Sequence, residues 1–575
     1  DRAEARACTA LVEGEQEAAV AHARLACLAR AHGILGDTVE QLTTTTAEEL
    51  ARAPERLAEL PVLAACDTLP PSVDACDPEQ PVPGHEATVQ AIGLKLQAAE
   101  VRIVLGRYDE GLALARAAIE LTDADPDALA PLRARAWLLH GRLAVEGQHF
   151  AQALESLDNA QSLAEQQACD GVAAEALTLM AKVRALQLEA DPEEALRWSK
   201  QALDKLDRLG DRGPRRADAL NSRGLVFHQR LRRFEEADAL YREAAELRER
   251  FLPATALPLS DTLLNRGAVL AQLGRLDDAV AALQRSIELR AEALGADHPS
   301  LYKHYVNLGN RQLERGKVVE AERALLRGLE LARVGLGPQH QKIGELHLRI
   351  AAVLDHQRRF DEAIGQIRQA LDVFDVALEP GALFWIDAWG AMGQVYLDAG
   401  NPREAIPWLT RAWDLVAEHP EADAVDRSAG AFRLGAAEAL AGAPEQALPW
   451  LDRALELLAA GEGATEAKTL QAHIQLARGE ALLEMTRPDE AIEALEHAVG
   501  WWDAHAGNPD QLARARWALA RALLVEGAGP RDSAVLARAD DLSAQARATF
   551  AQRSTIDPRL PRIDAWRVEH DFEEP

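Results

Sequence analysis

The sequence predicts an all-α fold, a solenoid of about ten to eleven antiparallel helix pairs. Its 575 residues exceed what one hydrophobic core usually organises, so several domains or a repeat array are expected. Aromatic residues make up only 5% of the chain, and no run of β-branched residues between turn signals predicts a sheet. A regular internal repeat favours a repeat array over several separate domains.

An anchor residue, nearly always alanine, marks each predicted repeat at a spacing of 42 residues. The phrase GRLDDA at 274–279 and its echo RFDEA at 359–363 both end on this residue. The anchors are Gly111, Ala153, Ala195, Ala237, Ala279, Ala321, Ala363, Ala405, Ala447 and, slipped by two residues, Ala491.

Three further positions keep phase with the anchor. Seven residues after it stands Ala, Ser or Gly, four after it usually Leu, and twelve before it usually Gly, with Gly224 offset by one. This spacing predicts two antiparallel helices per repeat, with small residues where their backbones approach closely. Gly, Asn or Pro followed by an acidic residue predicts the turn between them. Each pair buries its apolar stripe by stacking on its neighbours.

These marks resemble the tetratricopeptide repeat, whose pattern of small residues is matched over residues 91–500. The resemblance implies a right-handed superhelix that binds proteins or peptides. The phrase LGADHP at 294–299 and YVNLG at 305–309 look like the kinesin-light-chain variety, as does the long period of 42 residues. That variety binds extended peptides in a concave groove lined by the first helix of each pair.

Polar residues on the predicted first helices are the candidates for peptide binding. Asparagines occur two or three residues before the first-helix glycine in three consecutive repeats. The resemblance implies that such amides bond the backbone of an extended peptide, since an amide donates and accepts at once. Exposed polar residues without a ligand are the alternative. The candidates are Asn221, Asn265, Gln272, Asn307, Asn310 and Arg311.

The repeat pattern predicts three segments: a helical or irregular linker at 1–85, the solenoid at 86–550 and a tail at 551–575. Four of the five cysteines, Cys8, Cys27, Cys66 and Cys76, lie in the first segment. Disulfides from Cys8 to Cys27 and from Cys66 to Cys76 would close a helical hairpin and a proline-rich loop. Small thiols buried in helix packing are the alternative. No zinc-ligand spacing accompanies them.

The same segment carries a second resemblance. Phrases such as RLACL at 24–28 and LPVLAAC at 60–66 look like the region that joins a membrane helix to a repeat array in certain large bacterial Ser/Thr protein kinases. The resemblance implies an upstream kinase domain and an array on the extracytoplasmic face of the inner membrane. Because the chain begins at Asp1 within helical sequence, we expect a longer parent protein. The alternative parent is a cytoplasmic signal-transduction ATPase or transcription regulator.

Charge and motifs argue against several classes of function. A net charge of −29 disfavours a nucleic-acid partner and suits a neutral or basic protein, although acidity that only serves solubility is the alternative. No stretch of about eighteen apolar residues predicts a membrane helix in this segment. No nucleotide-binding, zinc-protease or kinase motif occurs, so we expect no catalytic residue, metal site or cofactor.

Overall fold

The computed structural model describes residues 28, 32–41, 82–187, 191–252, 257–459, 465–505, 508–525, 532–552 and 557–572. These residues form α-helices, two short 3-10 helices and turns, with no strand among them. The helices follow one another as antiparallel pairs, which confirms the predicted all-α array. The chain divides into two compact units, residues 1–335 and 336–575.

The first compact unit holds six repeats, and in each the odd-numbered helix comes first. Residues 32–41 are also helical, and Gln97 donates a hydrogen bond of 2.7 Å to Asp37 in that segment. The helices are α1 Glu86–Leu105, α2 Tyr108–Leu121, α3 Ala130–Glu146, α4 Phe150–Gln166, α5 Asp170–Leu186, α6 Pro192–Arg208, α7 Pro214–Gln229, α8 Phe234–Phe251, α9 Leu257–Gln272, α10 Leu276–Leu294, α11 Tyr302–Glu314 and α12 Val318–Leu336, with 3-10 helices at Thr122–Ala124 and Pro299–Leu301.

The second compact unit continues the same alternation through repeats 7 to 11 and adds one helix. Its helices are α13 Gln341–His356, α14 Phe360–Ala377, α15 Phe384–Asp398, α16 Pro402–Glu418, α17 Ala424–Leu440, α18 Pro444–Ala459, α19 Thr465–Glu484, α20 Pro488–Ala504, α21 Pro509–Leu524, α22 Ser533–Ala551 and α23 Leu560–Glu569.

The first-helix glycines make room for a large side chain of the second helix. A Cβ atom built on Gly393 would lie 2.5 Å from Cδ2 of Leu409, four residues after the anchor. At Gly435 the corresponding distance to Cγ of Leu451 is 2.8 Å, and the carbonyl oxygen of the anchor Ala447 follows at 3.2 Å. The helices therefore approach as closely as predicted, but the leucine limits the space more than the backbone does.

The turns between paired helices repeat a left-handed residue. In repeat 5, the amide of Gly274 bonds the carbonyl of Ala271, and the amide of Arg275 bonds that of Leu270, both at 2.9 Å. These are the two hydrogen bonds of a Schellman motif, which needs positive φ at the residue after the helix. The residues in this conformation are Gly106, Gln148, Arg232, Gly274, Gly316, Arg358, Gly400, Gly442 and Thr486.

The turn of repeat 4 is one residue longer than its neighbour. Residues 230–233 separate α7 from α8, whereas residues 273–275 separate α9 from α10. The extra residue lies after Gly224 and before the anchor Ala237, which explains the offset of this glycine in the sequence. Gly224 still occupies the equivalent place, because its Cβ would lie 2.8 Å from the ring of Tyr241 on α8.

A short helix covers the C-terminal end of the described repeats. The sequence predicted a tail over 551–575, and the structure places α23 there instead. Ile563 is fully buried and clusters with Phe550 of α22, and the Trp517 and Trp566 rings meet edge to face at 5.1 Å. An apolar face on the last repeat requires such a cover, which the short α23 supplies without keeping the repeat period.

We expect the stability of the protein to depend on which side chain occupies the left-handed position of each turn. Thr486 is β-branched and sits at φ 52°, a conformation that costs an L-residue about 1 kcal/mol or more. Thr486→Gly should therefore raise the free energy of unfolding by about 1 kcal/mol, measured by chemical denaturation followed by circular dichroism.

The matched control is the reverse change in the turn of repeat 9. Gly442 has φ 79°, and a Cβ there would meet no atom within 4 Å, so Gly442→Ala tests the backbone alone. We expect Gly442→Ala to lower stability by about 1 kcal/mol. A neutral result for both variants would contradict the role assigned to the left-handed residue.

Candidate peptide-binding surface

The first helices of neighbouring repeats form a continuous surface within each compact unit. They pack directly on one another, as α5 does on α7 and α19 on α21. Thr262 of α9, for example, donates a hydrogen bond of 3.3 Å to the side-chain oxygen of Asn221 on α7. Neighbouring second helices are linked chiefly through long side chains, such as Lys205 and Glu165 at 3.1 Å. The first helices therefore lie on the inner side of the packing.

The structure brings the six candidate residues onto three consecutive first helices of the first compact unit. Helix α7 carries one of them, α9 carries two and α11 carries three. They are Asn221 on α7, Asn265 and Gln272 on α9, and Asn307, Asn310 and Arg311 on α11.

Three of these side chains keep hydrogen-bonding capacity for a ligand. Gln272 is exposed and Asn265 is half-exposed, and neither side chain bonds another group in the part of the chain that the structure describes. Asn307 donates one amide hydrogen to the carbonyl of Lys303 at 2.8 Å, which leaves its oxygen and second hydrogen. Asn265 and Asn307 stand two residues before Gly267 and Gly309, so they occupy equivalent positions.

The other three candidates are more tightly held. Asn221 accepts the hydrogen bond from Thr262 and stands three residues before its glycine, which rotates it by about 100° relative to Asn265. Arg311 is only 16% exposed and pairs with Glu314 at 3.1 Å. Asn310 is partly buried, as Asn265 is, but unlike Asn265 it already interacts with another group. These contacts give the three residues a part in fixing the surface.

Two buried arginines that sequence reasoning missed hold the same surface together. Arg248 of α8 is 5% exposed and bonds Asp218 of α7 at 2.5 Å and the carbonyl of Pro258 of α9 at 2.8 Å. Arg290 of α10 repeats the arrangement one repeat later. Each arginine thus ties a second helix to its own first helix and to the chain of the next repeat, and it places an aspartate on the candidate surface.

The repeat pattern itself could have identified these two arginines as buried residues with partners. Both stand eleven residues after the anchor, where the other repeats from the second to the tenth have a buried apolar residue. A charge at such a position predicts a partner, because an uncompensated buried charge is very costly. The apolar equivalents are Ala164, Leu206, Ala332, Phe374, Val416, Leu458 and Trp502.

A buried histidine links repeats 5 and 6 beneath the candidate surface. His304 of α11 is 2% exposed, and its Nε2 lies 3.3 Å from the hydroxyl of Ser260 on α9, which also bonds Ser286 of α10. Burial lowers the pKa of His304 to about 3, and the positive charge of Arg290 adds to this effect. The ring is therefore neutral at physiological pH and serves as a hydrogen-bonding spacer between α9 and α11.

The sequence pattern predicted no disulfide for the fifth cysteine. Cys169, directly before α5, is disulfide-bonded and fully buried among Ala134, Ala164 and Val172. The predicted pairs of Cys8 with Cys27 and of Cys66 with Cys76 lie outside the described residues.

No other kind of site emerges from the described chain. Among the residues that the structure describes, no group of three or more histidine, cysteine or acidic side chains is placed to hold a metal ion. Over the same residues, no helix has both the length and the apolar content needed to cross a membrane.

Paired helices of this kind, repeated with a small residue at each close approach, define a helical repeat protein. Residues 216–253, 259–333 and 342–418 match family models of the tetratricopeptide repeat, so these segments are tetratricopeptide repeats. Arrays of this class are typically non-catalytic scaffolds that bind proteins or peptides. A search of curated protein sequences gave no significant match.

Several solved structures are similar to parts of this chain at low sequence identity. The apo form of RapI aligns with 65% of this chain and 99% of its own at 10% identity, with a TM-score of 0.50. BtubC (BKLC) from P. vanneervenii aligns with 40% of this chain and 92% of its own at 20% identity, with a TM-score of 0.34. Repeats of a putative kinesin light chain from Podosopora anserina align with 37% of this chain and 100% of their own at 18% identity, with a TM-score of 0.33.

Neutral His304 should make the protein sensitive to acid. Because its folded pKa of about 3 lies below the ordinary value near 6.5, the unfolded chain takes up a proton that the folded chain refuses. Its contribution is intact above pH about 6.5 and is lost as pH falls, by about 2 kcal/mol at pH 5. We expect His304→Gln to reduce the loss of stability between pH 7 and pH 5, measured as the shift in melting temperature.

The matched control is His497→Gln on α20. His497 is exposed, and its side chain forms no hydrogen bond or ion pair with the residues that the structure describes. This variant should retain the acid sensitivity of the wild-type chain. An unchanged acid response in His304→Gln would show that the buried ring does not cause it.

Proposed function

We propose that the chain is a non-catalytic array that binds another protein, or an extended peptide, on the first helices α7, α9 and α11. The observation that carries the proposal is the row of amide side chains on these helices, where Asn265, Gln272 and Asn307 keep free hydrogen-bonding groups. An extended peptide presents alternating N–H and C=O groups, and an amide side chain can satisfy either. The row lies on a surface that direct packing of the helices keeps continuous.

The charge of the chain supports a protein partner. A net charge of −29 repels the phosphates of nucleic acid, whose binding draws most of its affinity from clustered Lys and Arg. It favours a neutral or basic ligand and speeds its approach. The positive charges of buried Arg248 and Arg290 do not make the candidate surface basic, since each arginine is paired with an aspartate on that surface.

Selection from a random peptide display library on the full chain tests the proposal. We expect a selected peptide to lose about tenfold in affinity for the double variant Asn265→Ala and Gln272→Ala, because two hydrogen bonds are removed. Fluorescence polarisation measures the dissociation constants.

The control variant is Gln284→Ala, an exposed glutamine on the second helix α10 of the same repeat. It should bind the peptide with unchanged affinity. An equal loss in the control, or a failure of the library to yield any peptide, would count against binding on the first helices.

We further propose that the array is the C-terminal, extracytoplasmic part of a bacterial Ser/Thr protein kinase. The phrases RLACL at 24–28 and LPVLAAC at 60–66 support this parent. The disulfide at Cys169 adds support, because disulfides persist in oxidising compartments and are rare in the cytosol. The kinase domain and the membrane helix belong to the proposed parent upstream of this chain.

Disulfide mapping on non-reduced material from the native host tests this location. We expect peptide mass spectrometry to find Cys169 joined to a second cysteine of the chain. Free thiols at all five cysteines would instead favour a cytoplasmic parent, either a signal-transduction ATPase or a transcription regulator. The gene upstream of Asp1 then distinguishes these parents by its kinase or nucleotide-binding domain.

A further inference from the structure

Two exposed charges of opposite sign stand on the first helices of repeats 8 and 9 in the second compact unit. Asp387 belongs to α15, and Arg433 belongs to α17. Neither side chain forms a hydrogen bond or an ion pair with a residue that the structure describes. The carboxylate and the guanidinium therefore keep their hydrogen-bonding groups for a ligand.

Both residues occupy positions that the candidate surface of the first unit also uses. Asp387 stands six residues before the first-helix glycine of its repeat, as Asp261 does in repeat 5. Arg433 stands two residues before the first-helix glycine of its repeat, which is the position of Asn265 and Asn307. Because equivalent positions of a repeated helix lie on the same face, both charges belong to the surface that the first helices present.

Repeat 8 lacks the internal cation that holds the equivalent aspartates of repeats 4 and 5. Asp218 and Asp261 each bond the buried arginine that stands eleven residues after the anchor of their own repeat. In repeat 8 this position is Val416, which is buried and apolar. The chain thus keeps the surface carboxylate of Asp387 but not the charge that neutralises its equivalents.

The guanidinium of Arg433 reaches from α17 to the surface of α15. A Cβ atom built on Gly390 would lie 3.3 Å from Nη1 of Arg433, so the arginine lies against this glycine. Gly390 follows Asp387 by three residues, which makes the two residues neighbours on the helix surface, about 5 Å apart along its axis. The two opposite charges therefore lie close together on α15 without bonding each other.

The charged groups around Asp387 leave an excess of negative charge beside it. Although Asp387 is exposed, partial desolvation by the neighbouring helices raises its pKa above the ordinary value. The charge of Arg433 opposes this rise in pKa, whereas those of Glu345 on α13 and Asp426 on α17 add to it. A positive ligand group beside Asp387 is therefore attracted by more than one carboxylate.

We propose that α13, α15 and α17 form a second binding surface, for an extended peptide with a basic and an acidic side chain two residues apart. Such side chains project from the same side of an extended chain, about 7 Å from each other. The basic side chain pairs with Asp387, and the acidic one pairs with Arg433, whose planar guanidinium suits a carboxylate. An extended peptide suits this open helix surface better than a small zwitterion, which needs an enclosing pocket. The second surface does not depend on peptide binding on α7, α9 and α11.

The test selects peptides from a random display library on the full chain and discards those that also bind the double variant Asp387→Asn and Arg433→Gln. We expect the remaining peptides to carry Lys or Arg two residues from Asp or Glu. Each should lose about tenfold in affinity for either single variant, measured by fluorescence polarisation, because a charge-assisted hydrogen bond is removed. Its affinity for the double variant Asn265→Ala and Gln272→Ala should be unchanged, which separates the two surfaces. If no peptide remains, or if the remaining peptides lack the two charges, the proposal is overturned.

The matched control is the double variant Arg403→Gln and Asp414→Asn, which removes one charge of each sign from exposed positions of the second helix α16. Its net charge equals that of the test variant, and it should bind the selected peptides as the wild-type chain does. Replacing the acidic residue of a selected peptide by glutamine should lower its affinity about tenfold for the wild-type chain and no further for Arg433→Gln. Independent losses in this cycle, or an equal loss in the control, overturn the proposal.

Discussion

The contact between a first-helix glycine and a second-helix leucine is the constraint on which this array depends. At Gly393 and Gly435 there is no room for even a methyl group, because the leucine side chain fills the space that a Cβ would need. Close packing of this kind fixes the distance between paired helices and repeats it along the chain. The apolar residues of each helix are buried in this packing and against the neighbouring repeats. The face of each first helix that is turned away from these contacts can therefore carry polar residues.

Repeats 4 and 5 depart from the apolar pattern at the place where the candidate surface lies. Arg248 and Arg290 replace apolar residues in the core, and each requires an aspartate partner and several acceptors to offset its desolvation. Apolar residues of similar volume would serve stability at least as well. What the arginines add is a fixed position for Asp218 and Asp261 beside the amides of α7, α9 and α11.

One titratable group in each compact unit has a shifted pKa, and the two shifts run in opposite directions in their effect on stability. His304 in the first unit is held neutral by burial, so acid weakens its contribution. Partial burial and the charge of Asp398 raise the pKa of Asp355 in the second unit to about 6, so its contribution weakens as pH rises through that value. Both groups sit between consecutive first helices.

The sequence by itself determined the helix pairs, their register and the small residues at close approach, because the same packing constraint acts on every repeat and leaves a periodic trace. It also placed the six candidate residues on first helices. Only the tertiary structure decided which of them keep free groups: Asn221 is engaged by Thr262 of the next repeat, a contact that no local pattern encodes. The same holds for the partners of Arg248 and for the packing of α23, since each depends on residues that are distant in sequence and meet only when the repeats stack.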